Sequence, residues 1–271
     1  MDGFDVATVG DNCIDRYLPP VGVSTVGGNA VNVAVHLRRR GHRVTYLGAV
    51  GDDANGERLL ACLDQDGVET GHVRVRPGQT AVTEIASDPM GDRILVSEDF
   101  GVCRGYRPVP AEVERLRSRR HVHLGWIDDG GALKRALVAD GVSVSQDLTV
   151  NASEEHRSAD GLTIAFLSAG PSRERAQVLM RETLERGASL VVVTCGASGS
   201  IASDGTISAE TRVSPVAVVD TTGAGDTFIA AFLDAHLRAC PLHPCLEAGR
   251  DAAAETCTHI GGFPQDGVSW V

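Results

Sequence analysis

The stretch Val218-Val219-Asp220-Thr221-Thr222-Gly223-Ala224-Gly225-Asp226-Thr227-Phe228 decides how the chain is read. An apolar run ending at Val219 reads as a strand. Gly223 and Gly225 then let the backbone turn tightly, with no Cβ in the way. Phe228-Ile229-Ala230-Ala231-Phe232-Leu233 starts a helix rich in apolar residues. A strand, a glycine turn and a helix N-terminus leave several N–H groups without intrahelical partners at one point. Those groups and the helix dipole together favour a bound anion. A carboxylate at Asp226, inside that anion site, would repel a phosphate. Its sensible use is as a base that takes a proton from a hydroxyl attacking the phosphate. Asp is also a favoured helix N-cap, and a lone Gly-Ala-Gly-Asp would fit that role as well.

Composition narrows the classes. With 271 residues, 42% of them hydrophobic, the chain can bury one good-sized core. Its 25 Lys and Arg against 36 Asp and Glu give a net charge of −11, which does not suit a nucleic-acid or membrane-surface binder. A phosphate site built from backbone N–H groups stays open. No apolar run reaches the length of a membrane span, and Met1-Asp2-Gly3-Phe4-Asp5 lacks the basic region of a signal peptide. A cytoplasmic protein is expected. The seven cysteines form no C-x-x-C pair, so neither a disulfide framework nor a zinc site is expected. Cys240 and Cys245, with His236 and His243, fit no standard metal spacing. His121 and His123 flank an apolar strand and read as core residues.

The string DTTGAGDTF at 220–228 resembles the C-terminal signature D-T-x-G-A-G-D-x-F of the ribokinase/PfkB family of carbohydrate kinases, with every fixed position present. Gly27-Gly28-Asn29-Ala30-Val31-Asn32-Val33-Ala34 resembles that family's N-terminal signature G-G-x-x-x-N-x-A. The paired glycines precede a helix that stops at Gly41. Asn29 and Asn32 offer uncharged donors and acceptors to a polyol, while Gly27 and Gly28 permit close backbone approach. Asn29 also fits a helix cap. The run Arg38-Arg39-Arg40 complements the far end of the helix dipole and reads as a solvated end.

The resemblance implies further roles. Asp15, five residues after Gly10, stands where the family places a carboxylate that accepts from sugar hydroxyls; by residue type alone it fits a turn bond equally. VGDDANGERL at 50–59 resembles the family's V-G-x-D-x-x-G. VVTCGASGS at 192–200 resembles V-T-x-G-x-x-G and sets Thr194, Gly196 and Gly199 beside the nucleotide. Asp220 and Thr221 would order Mg²⁺ waters or a monovalent cation, and His259 and Gly261 would lie near the adenine. Asp226 is then the catalytic base, with Gly223, Ala224 and Gly225 completing the anion turn. Two elements depart from the family. Asp147 opens a D-x-N-x-R motif, but Asn151 is out of register and the Arg is missing. The N-x-x-E expected at 168–171 is absent, with Glu174 as a partial substitute.

The fold implied is a single α/β domain over 1–271, a ribokinase-like three-layer sandwich with a mainly parallel central sheet. A small β-sheet lid, from about 12–25 and 73–102, would shield the transfer from water. Its parts would be Arg16-Tyr17-Leu18 and a hairpin at 80–97 turning at Pro89-Met90-Gly91-Asp92, with Glu84, Arg93 and Glu98 in reach of substrate. Strands are expected at 4–9, 44–50, 122–124, 142–146, 162–167, 189–195 and 199–203. Helices are expected at 55–66, 111–118, 131–139, 223–239 and 244–260.

The activity implied is ATP-dependent phosphorylation of a small molecule, with Mg²⁺ arriving with ATP and possible pairing of lid edges in a homodimer. GDNCID at 10–15 with GGNAVNVAV at 27–35 is most similar to members that phosphorylate sugar-amine adducts of the ketosamine type. Another sugar or nucleoside kinase, or a catalytically weak sensor on the same scaffold, are the alternatives. A dinucleotide oxidoreductase would need a G-x-G-x-x-G after the first strand, which is missing.

Overall fold

The computed structural model describes residues 3–87, 93–150, 153 and 155–270, with only the backbone of Ser87 and Arg93. The turn expected at 89–92, the reach of Arg93 and Asn151 lie outside the described residues. In chain order come β1 (Asp5–Val9), β2 (Cys13–Tyr17), β3 (Val23–Gly27), α1 (Asn29–Arg39), β4 (Arg43–Leu47), β5 (Ala49–Gly51), α2 (Ala54–Gln65) and β6 (Arg74–Arg76). Then follow β7 (Val82–Ser87), β8 (Arg93–Asp99), α3 (Pro110–Arg117), β9 (His121–Leu124), α4 (Ala132–Ala139), β10 (Val144–Asp147), β11 (Ile164–Ser168) and α5 (Arg173–Glu185). The last are β12 (Leu190–Thr194), β13 (Ser200–Ser203), β14 (Ser208–Thr211), α6 (Ala224–Leu237), α7 (Leu242–Thr256) and β15 (Val268–Ser269).

Strands rich in Val and Ile, apolar on both faces, need cover on both sides. They form an eight-stranded sheet in the order β14-β13-β12-β11-β10-β9-β1-β4, parallel except at its β12-β13-β14 end. Successive side chains point to opposite faces, so each strand feeds two cores. Val6, Phe166 and Val192 pack with α1, α2, α6 and α7, while Ala7, Ala165, Val191 and Val193 pack with α3, α4 and α5. The result is a three-layer α/β/α sandwich. Helix α6 is apolar on nearly every side, as a helix enclosed by neighbours must be. Its Phe232 meets Phe166 edge-to-face at 5.6 Å and is completely buried. A core phenylalanine of this kind is worth about 3–5 kcal/mol against alanine.

A second, five-stranded sheet runs β15-β3-β2-β7-β8, antiparallel except where β2 pairs with β7. It is anchored by Asp53, the second Asp of the 50–59 motif and the N-cap of α2. Asp53 accepts from Gly56 N–H at 2.9 Å to start α2, and from the Thr80 hydroxyl at 2.6 Å to fix the approach to β7.

Four expectations are corrected. The strand ending at Val219 is absent: 212–219 leave the sheet edge without pairing, and Val218 and Val219 are 44% and 48% exposed. The run is tied to the α6–α7 layer through Val219 N–H on Cys257 O at 2.8 Å. The strand at 44–50 is broken at Gly48, where a Cβ would lie 2.1 Å from the Tyr46 hydroxyl, and β5 turns away to pair with β6. The last helix ends at Thr256, not Ile260. The arginine run is less solvated than its charge suggests: Arg39 bonds Asp66 at 2.7 Å and Arg38 bonds Gly67 O at 2.8 Å. Strands β6, β14 and β15 carry too little apolar pattern to be read from sequence. Among the described residues no helix is long and apolar enough to cross a membrane.

Candidate active site

In an open α/β sheet, ligands bind beyond the carboxyl ends of the strands where the strand order reverses. Here the chain starts at β1, adds β4 on one side and β9 onward on the other. The reversal point is therefore the carboxyl end of β1, beside β9 and β10. Three acidic groups lie there: Asp11 two residues past β1, Asp147 ending β10, and Asp226 in the first turn of α6.

Asp11 shapes the approach of α1. Its carboxylate accepts from Asn29 N–H at 2.9 Å, Ala30 N–H at 3.4 Å and Trp126 N–H at 3.0 Å. It thus satisfies the first amides of a helix whose own N-cap, Gly28, has no side chain. Gly28 has φ 106, and a Cβ there would lie 2.5 Å from Asn12 Cα. The glycine is required by close approach as well as by conformation.

The start of α1 faces the start of α6. Asn29 Nδ2 donates to Asp226 Oδ1 at 2.7 Å, and Asn32 Nδ2 donates to Asp226 Oδ2 at 2.7 Å. The same Asn29 nitrogen donates to Asp147 Oδ2 at 3.0 Å. Both oxygens of Asp226 are oriented by neutral amides. Burial raises the Asp147 carboxyl to about 6. Gly223 begins α6 with φ 72, and a Cβ there would strike Gly262 Cα at 2.4 Å. Gly225 meets nothing within 4 Å, so the helix start opens onto free space on that side.

Asp15 is 3% exposed on β2 and accepts from the Cys13 thiol at 3.2 Å. A Cβ on Gly27 would lie 2.1 Å from Asp15 Oδ2, which ties this glycine to that carboxylate. Asp220 is drawn into a knot of protein donors: Tyr17 Oη at 2.5 Å, Gly261 N–H at 2.9 Å, Thr222 N–H at 3.0 Å and Thr222 Oγ1 at 2.8 Å. Thr221, half-buried, directly follows it. Gly261 therefore sits against Asp220 and Thr25, while His259 lies half-buried near the surface, its Nδ1 at 3.2 Å from Ile260 O.

Thr194, Gly196 and Gly199 lie at the far end of the central sheet. Gly199 has φ 93 and faces Thr211 O so closely that a Cβ would lie 2.0 Å away. Beside them is a cavity of about 550 Å³ whose wall includes Arg173, Ser198 and Arg212, but not Asp226. Where N-x-x-E was missed, Ser172 caps α5 by accepting from Arg175 N–H at 3.2 Å, and Glu174 is exposed in its first turn. Among the described residues no group of three or more His, Cys, Asp or Glu is placed to hold a metal. On nucleotide phosphates magnesium would neutralise charge. For the nucleotide itself the open α6 start is the fitting feature. Sequence reasoning gave Asp11 no role and placed Tyr17 in the lid without its bond to Asp220. The signals were an acidic residue one past the β1 glycine and a tyrosine two residues beyond Asp15.

The family model described as pfkB family carbohydrate kinase matches residues 5–101 and 128–265. The chain is 34% identical to fructoselysine 6-kinase of Escherichia coli over 261 residues, 95% of this chain and 99% of that protein. It is 30% identical to a fructosamine kinase of Bacillus subtilis, covering 94% and 91% of the two chains. Its fold superposes on Arabidopsis thaliana ribokinase, solved with ribose and ATP, with TM-score 0.83 at 24% identity, covering 96% and 94%.

Proposed function

This chain belongs to the pfkB family of carbohydrate kinases, and from that premise we propose that it phosphorylates a hydroxyl of a ketosamine such as a fructosyl-amine. The sugar kinase activity follows from the family; the ketosamine is supported by the names of two relatives at 30% identity or above. The observation that carries the mechanism is the double clamp on Asp226, one amide from Asn29 and one from Asn32, at 2.7 Å each.

In this reading the substrate hydroxyl donates to Asp226. The proton passes to that carboxylate as the oxygen attacks the γ-phosphorus of ATP. The new O–P bond forms as the bond to the β-phosphate oxygen breaks, and ADP leaves. N–H groups of Gly225 and Asp226 would face the transferred group, with Ala224 N–H joining them on leaving its 3.3 Å bond to Thr221 O; such a donor is worth about 3 kcal/mol of barrier where one has been removed. Asp15, Gly27, Gly28, Asn29 and Asn32 bind the sugar. Thr194, Gly196 and Gly199 border the nucleotide, whose adenine reaches toward His259 and Gly261. Asp220 and Thr221 act by stiffening the turn, and a monovalent cation would act through their carbonyls. The five-stranded sheet serves as the lid, excluding water. Dependence on ATP fits a cytoplasmic enzyme.

Edge strand β8 exposes Ile94, Leu95 and Val96 by 49, 47 and 51%, an unusual run for an unpaired edge. We propose that it pairs with a second copy. Sedimentation at micromolar concentration should give a dimer, and Leu95→Glu a monomer; a monomeric parent removes the idea.

The substrate is tested by a coupled ADP-release assay with fructosyl-lysine, other fructosyl-amino acids, fructose, ribose and adenosine. Preference for the fructosyl-amines is expected. A kcat/KM greater for ribose, fructose or adenosine would refute the ketosamine, and no substrate-dependent turnover would favour a sensor.

A further inference from the structure

Behind the candidate site, a file of buried polar side chains crosses the face of the central sheet that packs on α1 and α6. Asn29 spends its amide nitrogen on Asp147 at 3.0 Å and Asp226 at 2.7 Å. Turning the amide over would set its oxygen against two carboxylates. Asn29 Oδ1 must therefore accept, and what reaches it is His123 Nε2 at 3.4 Å. A neutral imidazole has one donor and one acceptor. With the proton on Nε2, His123 Nδ1 accepts from Ser145 Oγ at 2.9 Å. Ser145 has a single proton, so it in turn accepts from His121 Nε2 at 2.7 Å. His121 Nδ1 then accepts from Ser143 Oγ at 2.8 Å, a shorter bond for the single Ser143 proton than its alternative acceptor, Thr163 Oγ1 at 3.3 Å. From Ser143 to Asn29 the donors then point one way, toward the carboxylates.

The sheet makes the arrangement possible. His123 on β9 is paired with Ser145 on β10, so the two side chains stand side by side on one face. Both histidines are buried, and burial lowers each to about 3, so they stay uncharged at any working pH. The close approach is reinforced at Gly125, where a Cβ would lie 2.8 Å from Asn29 Oδ1.

We propose that His123, held in one tautomer by Ser145 and His121, is a positioning residue that fixes the Asn29 amide and through it the relative placement of Asp147 and Asp226. This rests on Asp226 being the base. The ionisable groups facing the file are Asp11 after β1, Asp15 on β2, His36 on α1, Arg120 just before β9, His121 and His123 on β9, Asp147 on β10, and Asp226 and His236 on α6, the last lowered by burial. Burial keeps His36 neutral as well, at about 4. The amide stabilises the ionised carboxylates. Losing its hold makes them harder to ionise and moves the acid limb of the rate profile to higher pH.

The test compares His123→Leu, which has no donor, His123→Gln, whose amide can donate in the place of Nε2, and Ser145→Ala, a small change that removes the lock on the tautomer. Each is assayed for kcat, KM and the pH profile of kcat/KM, beside Asp226→Asn. His123→Leu should lower kcat by about 10²-fold, the scale of a misplaced reactive group, with the KM for ATP little changed. Its acid limb should rise by about half a unit or more. His123→Gln should restore most of kcat and return the limb, and Ser145→Ala should show a smaller rise. ¹⁵N resonances of the parent should show His123 as the Nε2–H tautomer. A folded His123→Leu enzyme with parental kcat and limb overturns the proposal, as does an Nδ1–H tautomer. If His123→Leu does not fold, an unshifted limb in Ser145→Ala overturns it. If Asp226→Asn keeps its rate, the base assignment fails and the positioning role with it; loss in Asp226→Asn alone refutes only the positioning role.

Discussion

Tyr17→Phe removes one oxygen from the knot that joins the five-stranded sheet to the anion turn. Tyr17 and Asp220 are each 1% exposed, and the hydroxyl lies 2.5 Å from Asp220 Oδ2. Burial and the Asp220 charge push the phenol far above its ordinary range, so it stays protonated and donating. Without it, Asp220 keeps Gly261 N–H on one oxygen and the two Thr222 groups on the other. The carboxylate remains buried with one donor fewer. A hydrogen bond to a charged group is worth about 1.5–3 kcal/mol, so the substitution should cost about 2 kcal/mol. For a chain of this size that is roughly 4–8 °C in Tm. Urea unfolding at pH 7 reads it directly, and the double variant with Asp220→Asn should show a smaller cost, since the charge is gone. A loss below about 0.5 kcal/mol, typical of a neutral surface change, would refute the view that this bond bears on stability.

Further outcomes follow from neighbouring contacts. Gly27→Ala places a methyl 2.1 Å from Asp15 Oδ2 and should raise the KM for the sugar about tenfold or more, leaving the KM for ATP near parental. Gly125→Ala crowds Asp11 Oδ1 at 2.7 Å and Asn29 Oδ1 at 2.8 Å; steady-state kinetics should show kcat reduced by at least about tenfold. Asp147 is raised by burial to about 6, against about 3.9 unfolded, so its contribution to stability is whole below pH 4 and lost as pH rises through 6. Denaturation between pH 4 and 7 should show a decline on the order of 2–3 kcal/mol from this group in the parent, absent in Asp147→Asn; equal slopes in both would count against it.

The strands facing two cores were legible because Val, Ile and Ala fill them continuously, and the helix starts because Gly27-Gly28 and Gly223-Ala224-Gly225 mark sharp turns. The stretch 212–219 was misread for the same reason that β12 was read well. Val216, Val218 and Val219 have strand-forming side chains, but only tertiary placement says whether a partner strand is alongside. At the site, Asn29, Asn32 and Asp226 were singled out from their local motifs, and the structure sets them in mutual contact. Their link to Asp147 joins residues 118 apart in sequence, and no spacing rule encodes that. His121 and His123 illustrate the limit most clearly. An H-V-H run on an apolar strand reads as core, and both are buried, yet their polarity is spent on Ser145 and Asn29 from two other elements.

The central claim is that Asp226 takes the proton, and single-turnover kinetics of Asp226→Asn with a saturating fructosyl-amine substrate test it most directly. The rate of phosphoryl transfer should fall by about 10²–10⁴-fold while a non-hydrolysable ATP analogue binds with parental affinity. A transfer rate within about fivefold of the parent would contradict the account.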